Sequence, residues 1–388
     1  MTRTLVVSDL HLGAASGAAL LSRPEPRAAL FEALAEVDRL VLLGDVLELR
    51  HGPRRDALAA ARPFFEGLGR VLSEREIVVV AGNHDHALAE SWLRRREESS
   101  ISEPLALEQR FPAAEASSMV AAMAEWAAPA RLSAAYPGLW LRPDVYATHG
   151  HYLDCHLTVP TMERLGIAIT GRVLGRPADA FATVADYEAV TAPVFAWIDA
   201  VARQAPTGST LNGQSTVRVW RALSGARGNG DGTLANLRVR ALAGAFPVGI
   251  AALNRAGIGT FHADISASEL RRAGLRAMGE VATRLGLGDA YVIFGHTHRA
   301  GPLDGDDVSE WRVSGARDNG LVAGASGMRL LNTGCWTYDS YFVTRRPGES
   351  PYWPGGSVLV EGEDSSAPPV LRRLLDDYVP DGLTPLQA

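Results

Sequence analysis

The chain has 388 residues, 47% of them hydrophobic and 21% charged, with 38 basic against 44 acidic side chains and a net charge of −6. That is enough apolar sequence for a sizeable core, and the mildly acidic balance excludes a protein held to nucleic acid by bulk charge. Two cysteines, Cys155 and Cys335, are too few for a disulfide framework and fit a reducing compartment.

The first apolar run, Leu5-Val6-Val7, begins directly after Arg3, too early for an export signal. The longest weakly charged apolar stretch, Ala241 to Leu253, is interrupted by Pro247 and is too short to span a bilayer. The expectation is a cytoplasmic protein.

Leu5-Val6-Val7 ends in Ser8-Asp9-Leu10-His11. Helical character over Arg27–Val37 leads to a second run, Leu40-Val41-Leu42-Leu43, closed by Gly44-Asp45. A second helical stretch, Asp56–Leu72, precedes Ile77-Val78-Val79-Val80, which runs into Gly82-Asn83-His84-Asp85. Unbroken branched aliphatics are the mark of strands buried on both faces, and their alternation with helices predicts βαβ units with parallel strands. Residues 95–118 read as a loop plus a helix. A weaker run, Val145-Tyr146-Ala147, leads to Thr148-His149-Gly150-His151. Residues 152–288 form a long, mostly helical insertion in which Gln204–Thr216 and Ser224–Thr233 read as loops. Then Tyr291-Val292-Ile293-Phe294 gives Gly295-His296-Thr297-His298. Met328–Leu331 and Ser357–Val360 read as strands of a second sheet, and the chain from Ser365 as a short helix and tail. The expected division is a core over 1–151 and 289–364, the insertion at 152–288, and a C-terminal helix and tail at 365–388.

In a parallel sheet, loops after the strands emerge at one carboxyl edge, where ligands bind. Asp9, His11, Asp45, Asn83, His149, His296 and His298 are therefore expected on one patch. Carboxylate, carboxamide and imidazole donors suit manganese, iron or zinc, and seven donors are too many for one tetrahedral ion and about right for two.

Taken together, the DLH, GD, GNHD, lone His-Gly and GHTH motifs resemble the calcineurin-like metallophosphoesterase family, over residues 1–151 and about 289–335. The resemblance implies an α/β fold of two mixed β-sheets sandwiched between helices, here with the helical insertion. It implies that Asp9, His11 and His298 hold one metal, that Asn83, His149 and His296 hold the other, and that Asp45 bridges them. It implies a catalytic His84 beside the substrate phosphate, oriented by Asp85. The expected activity is hydrolysis of phosphate mono- or diesters by in-line attack of a metal-bridging hydroxide. The SDLHL opening, the HG segment followed by an aspartate and cysteine, GHTHR and the helical insertion also resemble the UDP-diacylglucosamine hydrolases, which implies a nucleoside diphosphate-lipid pyrophosphate as the alternative substrate. Against that branch, His84 stands where an Arg is usual, and the segment after Asp45 lacks its acidic cluster. Alternatives of another class are an inactive scaffold, which should lack a ligand, and a nuclease, for which no aromatic-basic face is evident.

Arg50, His51, His151 and Arg299 flank the motifs and are candidate substrate contacts. His86 reads as the start of a surface helix and His262 as structural; His156 flanks Asp154 beside His151. Residues 203–276 hold ten arginines (Arg203, Arg218, Arg221, Arg227, Arg238, Arg240, Arg255, Arg271, Arg272, Arg276) against Asp231, Asp264 and Glu269. That stretch is either a solvated face or a lid that reads an anionic, partly apolar substrate or rests on an anionic membrane. The expected partner is a phosphorylated small molecule or lipid-like substrate.

Overall fold

A computed structural model describes residues 2–99, 103–204, 248–262, 264, 266–313, 327–339, 343, 348–362 and 367–379. Its strands are β1 (Arg3–Val7), β2 (Arg39–Leu43), β3 (Glu76–Val80), β4 (Glu108–Pro112), β5 (Arg131–Arg142), β6 (Val145–Thr148), β7 (Tyr291–Phe294), β8 (Arg312–Val313), β9 (Met328–Asn332), β10 (Gly356–Glu361) and β11 (Val370–Arg373). The helices are α1 (Pro24–Ala33), α2 (Arg54–Val71), α3 (Glu90–Glu98), α4 (Ala113–Ala116), α5 (Ser118–Trp126), α6 (Met162–Val173), α7 (Val184–Gln204), α8 (248–255) and α9 (Ala267–Arg284).

The apolar runs become strands because both of their faces are covered. Leu5 and Val7 pack into one cluster with α1, α2 and α5, while Val6 between them packs into another. The stripe Ala57, Ala61, Phe64, Phe65 and Leu68, at helical spacing on α2, supplies the first cluster. On the other flank, Ala273, Ala277, Met278, Val281 and Ala282 of α9 pack against Val292, Phe294 and Leu330. The segment 152–288 thus contributes one helical layer of the sandwich through α6, α7 and α9.

All eleven strands hydrogen-bond as one mixed sheet in the order β11-β10-β1-β2-β3-β5-β6-β7-β9-β8, with β4 added to β5. The expected second sheet, with β9 and β10 in it, is part of this one, and those two strands lie toward opposite ends of it. One face of the sheet covers itself: Val6, Val41, Val78, Leu139, Ala147, Ile293, Leu331 and Val358 form a single helix-free cluster. The four-layer sandwich therefore arises from one curled sheet whose two halves face each other.

β5 joins the halves. Glu76–Val80 pair parallel with Arg131–Ala135, and β6 pairs antiparallel with Gly138–Arg142. The mixed character expected of the fold enters at this handover. The C-terminal end of β3 (Val80↔Ala135) and that of β6 (Thr148↔Gly138) consequently lie at the same point of β5. Two parallel trios, β1-β2-β3 and β6-β7-β9, thus bring their carboxyl edges together.

Candidate metal centre

The motif residues occupy the turns just after β1, β2, β3, β6 and β7, and the backbone there is strained. Six described non-glycine residues have positive φ, and five are Asp9 (56°), His11 (45°), Asp45 (51°), His296 (65°) and His298 (59°). Such conformations cost on the order of 1–3 kcal/mol each and persist where surroundings over-determine them. The motif glycines have a local cause: a Cβ at Gly44 would strike the His149 ring and one at Gly82 the Asp45 carboxylate.

Three overlapping groups of donor atoms result, each with all atoms within 4.8 Å: Asp9, His11 and His298; His11, Asp45 and His84; and Asp45, His149 and His296. Asp45 Oδ2 lies 3.3 Å from His149 Nε2 and 3.8 Å from His11 Nε2. His298 Nε2 is 3.3 Å from Asp9 Oδ1 and 3.1 Å from His11 Nε2. Asn83 Oδ1 lies 3.1 Å from both His149 Nε2 and His296 Nδ1.

These residues fit divalent cations on the chemistry of their donors. Nδ1 of His149 donates to the Leu43 carbonyl (2.9 Å), which turns the Nε2 lone pair toward Asn83 Oδ1 and Asp45 Oδ2. Three acceptors facing one another need a cation between them, a proton on His149 Nε2 or a reversed Asn83 amide. Asp9 Oδ1 is buried and accepts no hydrogen bond. Burial depresses the imidazole of His149, yet the Asp45 carboxylate beside it lifts its pKa to about 9. Burial likewise acts against a charged His298, and Asp9 overrides it to hold that pKa well above the ordinary range.

Around these donors is a ring of carboxylates that fix the imidazoles, the usual support for a metal-ligating histidine. Asp154 Oδ2 lies 3.0 Å from His296 Nε2, leaving Nδ1 for the centre. Glu48, buried on the loop after β2, serves two rings at once: Oε2 is 3.0 Å from His11 Nδ1 and 2.9 Å from His84 Nδ1. Burial raises the Glu48 pKa, but His84 and His11 outweigh it and hold the carboxyl well below its ordinary value. Glu48 does not stand out by motif, its one signal being its position three residues beyond Asp45, whereas Asp154 is the aspartate that follows the His149-Gly150 segment.

Asp85 is not the partner of His84. It is fully buried and accepts from the backbone N–H groups of Gly82 (2.7 Å), Val46 (2.7 Å), Leu47 (3.1 Å) and Asp45 (3.2 Å), stapling the turn after β3 to that after β2. Burial, then the charge of Asp45, push its pKa up to about 6. Glu48 takes the orienting place expected for Asp85. Arg50 Nη1 donates to His84 Nε2 (3.1 Å), and burial followed by the Arg50 charge lowers the His84 pKa. The cation at that edge of the centre is Arg50, whose Nη1 faces the ring as a donor.

Arg50 also donates to Asn83 O (2.9 Å) and to Glu163 Oε1 of α6 (2.8 Å). The other three flanking candidates sit elsewhere. His51 Nδ1 is 3.9 Å from Glu48 Oε2 and has no hydrogen-bond partner. His151 is buried behind His149 against Tyr152 and Phe195, with both ring nitrogens unpartnered. Arg299 is bound by Asp306 (Nη2–Oδ1 2.5 Å) and stacks over Trp311, so it is not available to a phosphate.

His86 begins a short 3-10 helix (His86–Ala89) as expected, but it is part-buried rather than on the surface and lies 3.3 Å from Glu188 Oε2 of α7. His156 Nε2 lies 2.8 Å from the Tyr187 hydroxyl, and His262 is exposed. Cys155 and Cys335 are buried and unpaired. Of the insertion arginines, Arg203, Arg271, Arg272 and Arg276 pair with acids, and Arg218, Arg221, Arg227, Arg238 and Arg240 lie outside the described residues. No helix among the described residues is long and apolar enough to cross a membrane.

The family model described as calcineurin-like phosphoesterase matches residues 2–167. Five of the seven donors lie in that span; His296 and His298 reach the centre from outside it. No curated protein matches the sequence. Among solved structures, the cold-active protein-tyrosine phosphatase of a psychrophile Shewanella species is similar at 11% identity, covering 94% of this chain and 76% of that one, with a TM-score of 0.26.

Proposed function

We propose that this chain, whose residues 2–167 match the calcineurin-like phosphoesterase family model, is a phosphoric ester hydrolase that cleaves small phosphate mono- or diesters at a dinuclear centre. The observation that carries this is the sharing of donors: Asp45 and His11 each belong to two of the three donor groups. A carboxylate common to adjacent groups is what two neighbouring cations require.

In this reading Asp9, His11 and His298 hold one cation, Asn83, His149 and His296 the other, and Asp45 both. Manganese, iron and zinc suit the donors. Such a pair supplies Lewis acidity toward the phosphate oxygens and an activated water.

The remaining chemistry belongs to the chain. Arg50 presents a guanidinium beside the centre, suited to bidentate contact with phosphate oxygens and to charge that builds on them. Its bond to Glu163 keeps it in place, and that to His84 Nε2 keeps the imidazole aimed. His84, with Nδ1 held by Glu48, is placed to exchange a proton at Nε2 once Arg50 turns to the phosphate. Asp154 and Glu48 set the ring orientations of His296, His11 and His84.

The test is to measure metal content and turnover of the full chain with manganese, iron or zinc. Para-nitrophenyl phosphate, its bis-ester, nucleotides, a nucleoside diphosphate-lipid analogue and single-stranded DNA are offered side by side. Metal-dependent release from a mono- or diester, abolished in Asp45→Asn, is the expected result. A protein that binds no metal, or cleaves only DNA or the pyrophosphate, overturns the reading.

A further inference from the structure

Beside the centre, on the side of His296 and His298, is a cavity of about 290 Å³ that the reading above leaves unused. Its walls come from three separate parts of the chain: the turn after β6 (Leu153, Leu157), helix α9 (Leu270, Leu275) and the core (Phe294, Trp311). Two arginines border it, but neither offers a free charge. Arg299 is bound to Asp306, and Arg271 to Asp306 (3.4 Å) and Glu310 (2.9 Å). A second cleft beside His84 is smaller, about 130 Å³, and opposite in character, lined by Arg50, Arg54, Glu90, Asp199 and Arg203.

Resting on the phosphoesterase reading and deepening it, we infer that the cavity is a subsite for an apolar alkyl or aryl group carried by the phosphate ester. Three observations bear on the occupant. The cavity reaches two of the metal-binding side chains, so a group within it is within bonding reach of a phosphate at the centre. Its volume is near that of small-molecule sites, which are predominantly apolar with few polar groups. Its charges cancel, which disfavours a nucleotide or sugar phosphate and leaves apolar burial as the source of affinity.

Gly274 of α9 offers a way to close the subsite. A Cβ there meets only Thr297 Cγ2, at 3.7 Å, an ordinary contact, and the residue lines the cavity. Gly274→Leu therefore fills space without a clash at Cβ, and it favours the helix.

The experiment uses the full manganese-loaded chain and non-hydrolysable ethyl-, butyl- and octylphosphonate in calorimetry, with phosphate release from ethyl and octyl phosphate in parallel. Each fully buried methylene is worth about fourfold in affinity. Octylphosphonate is expected to bind at least tenfold more tightly than ethylphosphonate. Gly274→Leu should cut that ratio to about twofold or less while leaving ethylphosphonate affinity and ethyl phosphate turnover unchanged. Leu270→Trp, at a half-buried wall position, is the second filling variant should the first not fold. Equal affinities along the series, or a chain-length preference that survives both variants, overturns the subsite even if both esters are cleaved. Preferential octylphosphonate binding with neither ester cleaved leaves the subsite standing and removes the enzymatic reading instead.

Discussion

Glu48 holds two imidazoles with one buried carboxylate, so a change there reaches the metal side and the proton-exchanging side of the centre together. Glu48→Gln keeps the shape but loses the charge and one acceptor. The expected outcome is a 10–100-fold loss in metal affinity, by analogy with other partners of metal-bound histidines, and a fall in turnover that saturating metal does not restore. A turnover fully restored by excess manganese would confine Glu48 to His11. His84→Ala, by contrast, should leave metal content intact and cut turnover at least tenfold; unchanged turnover would remove His84 from the mechanism. At this scale the sequence was informative about donors and poor about their supports. Asp, Asn and His beside glycine form short words because each glycine is needed for close approach, as at Gly44 and Gly82. Glu48 and Asp154 act through side-chain direction, which no local word encodes. Asp85 misled for the same reason: its carboxylate turns to backbone amides rather than to its neighbour's ring.

Elements were legible where burial on both faces demanded unbroken aliphatics. Arg39–Leu43, Glu76–Val80 and Tyr291–Phe294 lie within a residue or so of the expected strands. β5 escaped because Ala134, Ala135, Pro137 and Gly138 give it low strand propensity and a proline at its middle. β4, Glu108–Pro112, escaped because it is a short edge strand with charged residues. The segment 152–288 holds a titratable contact of its own. Neutral His156 faces Tyr187 of α7 through its Nε2, edges Phe181, and has Arg284, Glu280, Arg164 and Asp179 near it. Burial, reinforced by Arg284, lowers its pKa from 6.5 to about 4. Between those values the unfolded chain binds a proton that the folded one does not, so the contribution is complete above pH 6.5 and is lost as pH falls to 4. At full shift this is on the order of 3 kcal/mol. The melting temperature should fall across that window, and His156→Gln should flatten the fall; an unaltered slope would show that another group dominates.

For the whole molecule, an ion pair bound only by the folded state adds stability by mass action, about 2.7 kcal/mol at a free concentration one hundred times Kd. Chelation should lower the melting temperature and manganese should restore it, with Asp45→Asn abolishing the response. A melting temperature indifferent to chelator would mean that the donors hold no ion in the isolated protein. The α/β class and the helices outside the sheet follow from the patterning of the runs. That the sheet is one piece does not, because the link is β5, the strand whose residues advertise it least.

That link would give the proposed ions a second role. Asp9, His11, Asp45 and Asn83 stand on the β1-β2-β3 half, while His149, His296 and His298 stand on the β6-β7-β9 half. On the proposed dinuclear reading, each ion would be a clasp between the two leaves of a folded page. It can close only after residue 298 has been made and docked, so a nascent chain cut short before that point carries most of the donors yet cannot fasten them.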